Sequence, residues 1–85
     1  MKGPIAKQIR LPGAYTISIS VVSRPQPKDG AALALDEDAS WNVEDQTIYL
    51  WEGLTPRQRW LKLTHEFKHA VNDYELWVRQ QVGAE

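Results

Sequence analysis

Residues 14–22, AYTISISVV, constrain the fold more than any other stretch of this chain. Tyr15, Ile17, Ile19 and Val21 alternate with Thr16, Ser18 and Ser20. Successive side chains of a strand point to opposite faces, so the segment reads as a half-buried strand with one apolar and one polar face. The apolar face needs a cover. The SRPQPKDG that follows ends the strand, because two prolines and an Asp-Gly cannot continue a hydrogen-bonded ladder.

The cover comes from the second half of the chain. Trp60, Leu63, Thr64, Phe67, Val71 and Tyr74 recur at helical spacing on one face. Thr55 is a good N-cap and Pro56 suits the first helical position. The pattern predicts a helix from Pro56 to about Asn72, with a second helical piece over ELWVRQQV. Between strand and helix, AALAL reads as a short strand or a turn of helix, and DEDAS as a loop. WNVEDQTIYLWE reads as a hairpin or bent strand: Trp41 and Val43 alternate, Glu44-Asp45-Gln46 turn, and Ile48 and Leu50 alternate with Tyr49 and Trp51. Residues 1–13, with Gly3, Pro4, Pro12 and Gly13, read as an irregular, mobile lead-in. Strands followed by a helix predict an α+β fold, a small antiparallel sheet packed on one helix, forming a single domain over residues 1–85.

Composition removes several classes of function. The formal net charge is −1 with no basic stripe, which argues against nucleic-acid binding. There is no cysteine, so disulfides and thiolate metal sites are excluded. No run approaches the roughly 18 apolar residues that span a membrane, and the N-terminus lacks the apolar core of a secretory signal. The expected location is the cytoplasm (host cytoplasm if the chain is phage-encoded), as a monomer or weak oligomer. Asp36, Glu37, Asp38, Glu44 and Asp45 fall in a stretch without Lys or Arg and read as a solvated acidic loop.

The only two histidines, His65 and His69, stand four residues apart, and Glu66 follows the first. Residues four apart on a helix lie one above the other, so two imidazoles can face one cation. With Trp60 at 0°, His65 and His69 fall near about 140° and 180° and Glu66 near about 240°. The histidines thus project away from the predicted apolar stripe. Such a pair can hold zinc while the glutamate takes a proton from zinc-bound water, whose pKa the metal lowers to about 7. The non-metal reading is a pair of surface histidines on a small interaction domain that uses exposed tryptophans and the acidic loop.

His65-Glu66-Phe67-Lys68-His69 matches the H-E-x-x-H pattern, and TIYLWEGLTPRQRWLKLTHEFKHAV resembles the edge strand, loop and active-site helix of the zincin metallopeptidases. The likeness covers roughly residues 46–75 and is greatest to small phage-encoded and ImmA/IrrE-like zincins. It implies a zinc metallopeptidase, a hydrolase with one zinc per chain acting on a peptide or protein substrate. His65 and His69 would be ligands and Glu66 the general base. The substrate chain would pair with the strand before the helix at Thr47, Tyr49 and Trp51. The alternative it implies is a catalytically weak or inactive zincin-like regulatory or protein-binding module. A third ligand can be Asp73, Glu75, Glu85, another chain or water. Metzincins place a ligand six residues after the second histidine, behind a turn-forming glycine, and gluzincins take a glutamate from a later helix. Both patterns point to Glu75, provided the helix breaks at Asn72, which occupies the glycine position. Asp73 is the alternative ligand, or a carboxylate partner for a ligating imidazole. Tyr74 belongs to the apolar stripe and reads as core.

Overall fold

The computed structural model describes residues 7–23 and 37–83. Within them lie four strands and one helix: β1 (Gln8–Leu11), β2 (Tyr15–Val22), β3 (Ala39–Asn42), β4 (Thr47–Trp51) and α1 (Pro56–Gly83). The fold is α+β, a four-stranded mixed sheet packed against the C-terminal helix, with strand order β1-β2-β4-β3. The AALAL segment lies outside the described residues.

The β2 alternation forms as its sequence requires. Tyr15, Ile17 and Ile19 are buried, whereas Thr16, Ser18 and Ser20 lie on the other face. The β3–β4 hairpin also forms. The Asn42 side-chain carbonyl accepts hydrogen bonds from the Glu44 and Asp45 amides, closing the turn with an Asx motif, and Gln46 leaves it at positive φ.

Three features depart from the sequence reading. Residues 8–11 are not a lead-in but a strand paired antiparallel with β2. The hairpin turn Pro12-Gly13-Ala14 makes this possible. Pro12 presets its own φ, and Gly13 takes the φ of 88° that side-chain-bearing residues avoid. A Cβ at Gly13 would also press on the Trp77 ring at 3.1 Å. The second departure is that the sheet is not wholly antiparallel. β4 inserts between β2 and β3 and runs parallel to β2, with Ile19 beside Ile48 and Val21 beside Leu50. Ile48 and Leu50 have 0% exposure, in keeping with a central strand. The third is that the helix does not stop at Asn72. It runs unbroken for 28 residues.

The helix begins with a reciprocal cap. The Thr55 hydroxyl accepts the Gln58 amide at 3.2 Å, and the Gln58 side-chain carbonyl accepts the Thr55 amide at 3.0 Å. Its buried line runs through Leu63 and Ala70, with Trp60, Phe67, Tyr74 and Trp77 packed on the same core. These place the buried face near about 300° on the wheel, rotated from the stripe expected at Trp60. The rotation follows from the extra turns. Tyr74 and Trp77 close on Tyr15, each with ring centroids 5.1 Å from it, and the Tyr74 hydroxyl donates to the Pro12 carbonyl at 2.9 Å. Burying two aromatic rings is worth several kcal/mol, whereas an asparagine inside a helix costs only about 0.7 kcal/mol relative to alanine. The packing therefore carries the helix through Asn72.

This yields a direct prediction. Asn72 is exposed inside a continuous helix, so Asn72→Ala should stabilise the protein by about 0.5 kcal/mol in urea unfolding. A loss of stability would mean that Asn72 caps a helix end instead.

Candidate active site

His65 and His69 are both solvent-exposed on α1, their ring centroids 5.0 Å apart and their planes at 80°. Among the described residues no hydrogen bond engages either imidazole. Glu66, half-buried, lies at the edge of the packed face.

Two contacts identify the structure beside this stretch. The Trp41 indole N–H donates to the Asp73 carboxylate at 2.6 Å, and the Lys62 ammonium lies 3.9 Å from the Asp38 carboxylate. Asp38 immediately precedes β3 and Trp41 lies within it. Lys62 and Asp73 fall near about 200° and 220° on the helix. The helix flank at that angle therefore runs along β3, from Asp38 beside Lys62 to Trp41 beside Asp73. Residues 65–69 lie between these two fastenings, and Glu66 and His69, near about 240° and 180°, border the same flank.

Among the described residues β3 is an edge of the sheet, and its register shows which of its backbone groups turn away from β4. Trp51 donates its amide to the Asp38 carbonyl, so Asp38 and Trp51 form a hydrogen-bonded pair. Such pairs alternate along an antiparallel ladder. Ser40 with Tyr49 and Asn42 with Thr47 are therefore the next ones, in the observed register. Ala39 and Trp41 consequently turn their backbone N–H and C=O away from β4. The other sheet edge, β1, carries Arg10 and ends at Pro12, features that discourage strand addition. The β3 sequence, ASWN, has no charge and no proline.

The structure corrects the sequence expectation for the docking strand. β4 is hydrogen-bonded on both sides, to β2 and β3, and cannot accept a further chain. Thr47, Tyr49 and Trp51 point to the sheet face opposite α1, alternating with the buried Ile48 and Leu50. Thr47 donates to the Asp45 carbonyl, Tyr49 donates to the Asp45 carboxylate at 2.6 Å, and Trp51 lies where a Cβ on Gly53 would meet its ring at 2.4 Å. They shape the hairpin and its exit. Sequence reasoning missed Ala39 and Trp41 because edge position depends on the β2–β4 pairing, which leaves no local signature.

The helix end assumed for the third ligand is corrected as well. The break that would carry Glu75 back to the histidines does not occur. On the continuous helix Glu75 falls near about 60°, some 9 Å along the axis beyond His69. Asp73 is held by Trp41. Among the described residues no group of three or more His, Asp or Glu is placed to hold a metal ion. Glu85 lies outside the described residues. The two imidazoles fit zinc as a partial donor set, since they share one face, have no other hydrogen-bond partner among the described residues and match its ligand chemistry. Zinc's usual third protein ligand is not among the described residues.

Two phenols are perturbed upward. Tyr49 is raised chiefly by its hydrogen bond to Asp45, then by burial, and Tyr15 by burial and by the nearby Asp73 charge. A raised phenol stabilises the fold fully below its unfolded pKa and loses that contribution as pH climbs through the folded value. Both therefore stay protonated at neutral pH, and neither serves as a base there.

No family model matches the chain, and no curated protein or solved structure matches it either. Among the described residues, no helix is long and apolar enough to cross a membrane.

The geometry predicts a contrast in metal binding. His65→Ala or His69→Ala should weaken zinc affinity at least about tenfold in a competition titration, by removing one of few ligands. Glu75→Ala should leave it unchanged. A large loss from Glu75→Ala would show that the helix unwinds when the metal binds.

Proposed function

We propose that this chain is a zincin-like zinc metallopeptidase that binds an extended peptide along the free edge of β3. One observation carries the reading: residues 65–69 lie between the Lys62–Asp38 and Asp73–Trp41 contacts with β3, an edge strand among the described residues. A hydrolase of this kind needs a metal grip, a base and a means of holding a peptide straight. Here the residues able to supply the three are neighbours.

Each part has a chemical role. His65 and His69 would hold the zinc, which when bound polarises the scissile carbonyl and acidifies a water. The outward N–H and C=O groups of Ala39 and Trp41 bind peptide backbone by strand addition. The hydrogen bond from Trp41 to Asp73 fixes that edge against the helix, so the bound chain keeps one register relative to the histidines. Glu66, at the border of the packed face, accepts the proton of the attacking water and returns it to the leaving amine.

A second reading, a peptide-binding module without turnover, is favoured by the absence of a third ligand among the described residues. The two readings share the docking edge and differ in metal content and activity.

The test is metal analysis of the purified chain together with a peptidase assay. The enzyme reading expects one zinc per chain and hydrolysis that falls by at least about a hundredfold in Glu66→Gln, the range of a lost general base. Zinc binding with no hydrolysis of any peptide supports the module. An absence of zinc in the wild-type chain overturns the enzyme.

A further inference from the structure

We propose that a cavity between the β3–β4 turn and the C-terminal half of α1 binds a primary ammonium carried on a short apolar stem. The site does not depend on zinc, and His65, Glu66 and His69 do not line it. Two polar groups define it. Tyr15 lines the cavity and is only 4% exposed, yet no hydrogen bond among the described residues engages its hydroxyl. Arg59 Nε is the one sealed and unpartnered side-chain nitrogen or oxygen among the described residues, so the Tyr15 hydroxyl opens to the cavity. A buried hydroxyl ordinarily has a hydrogen-bond partner, and one aimed unpartnered into a cavity points to a ligand. Asp73 is the second group. Its Oδ2 accepts the Trp41 indole N–H, which leaves Oδ1 for another donor. The residue is half-buried, and among the described residues no cation pairs with it. A carboxylate withdrawn from water is normally matched by a positive charge. Its charge also reaches Tyr15, where it adds to burial in raising that phenol.

The rest of the lining selects the ligand. Asp73 is the only charged residue that lines the cavity among the described residues, so a cation is attracted and an anion repelled. Gln46 and Gln80 add side-chain carbonyls to the wall. An ammonium has three donors, which match the Asp73 Oδ1, the Tyr15 oxygen and one of these carbonyls. Leu76 and the Trp77 ring give the stem an apolar side. The cavity holds about 240 Å³, below the roughly 300–1,000 Å³ of sites for drug-sized ligands. It therefore suits a group the size of one side chain, either a free alkylamine or the lysine side chain of a peptide.

The test follows the side-chain N–H signals of Trp77, Gln46 and Gln80 in the isotopically labelled full chain, with a chelator present so that no metal competes for Asp73. The probes are butylammonium, Nα-acetyl-lysine amide, butanol and butyrate. At least one ammonium probe should shift these signals saturably and bind at least about fivefold more tightly than butanol, because a charge-assisted hydrogen bond exceeds a neutral one. The tighter of the two ammonium probes identifies the source. Butyrate should not bind. Asp73→Asn keeps an acceptor for Trp41 and should bring the ammonium affinity down to that of butanol. Tyr15→Phe keeps the ring packing and should weaken ammonium binding at least about threefold. Gln80→Lys, at an exposed helix position, sets a cation of the chain's own at the rim and should block the ammonium probes without touching the core. Butanol or butyrate binding as tightly as the ammonium probes would overturn the proposal. So would ammonium binding undiminished in any of the three variants, or no shift with any probe.

Discussion

Asp73 ties the two layers of this protein together. Its carboxylate accepts the Trp41 indole N–H at 2.6 Å, joining the sheet's edge strand to the helix one turn beyond His69. A charge-assisted hydrogen bond in half-buried surroundings is stronger than a neutral one and more demanding of geometry. It adds a directional contact to the packing of Leu63, Ala70, Tyr74 and Trp77 that orients α1 on the sheet. Leu63 and Ala70 are buried, and His65 and His69 are exposed. The same bond turns one oxygen of Asp73, a residue that sequence spacing offers to the metal, toward the sheet.

Among the described residues the two edges of the sheet differ. β1 is discouraged from pairing by Arg10 and Pro12, β4 is enclosed, and β3 presents Ala39 and Trp41 outward. An open edge is usually a liability for a small protein. Among the described residues it runs along the helix flank between Lys62 and Asp73.

Much of the fold is legible in local patterns. The β2 alternation, the β3–β4 hairpin and the Thr55 cap are each written in a few consecutive residues, and each forms. The features that were not legible depend on distant partners. β1 is paired because the turn at Gly13 and the Trp77 ring accommodate each other, although they lie far apart in sequence. The helix passes Asn72 because Tyr74 and Trp77 bury against Tyr15, and the local cost of the asparagine is small beside that gain. The enclosed position of β4 depends on parallel pairing with β2. The two histidines were legible as a pair because helical spacing is local. The third ligand was not, since both candidate routes to it assumed a helix end that packing removes.

One spectroscopic measurement tests the central claim most directly. A paramagnetic divalent ion added to the isotopically labelled chain relaxes amides in proportion to their closeness. Adjacent strands lie about 4.8 Å apart, so β1 lies roughly 14 Å further across the sheet than β3. If the ion sits at His65 and His69 beside the β3 edge, the Ala39 and Trp41 amides should broaden well before that of Ile9, and His69→Ala should abolish the effect. Equal broadening of β1 and β3, or an effect that survives loss of His69, would contradict the account.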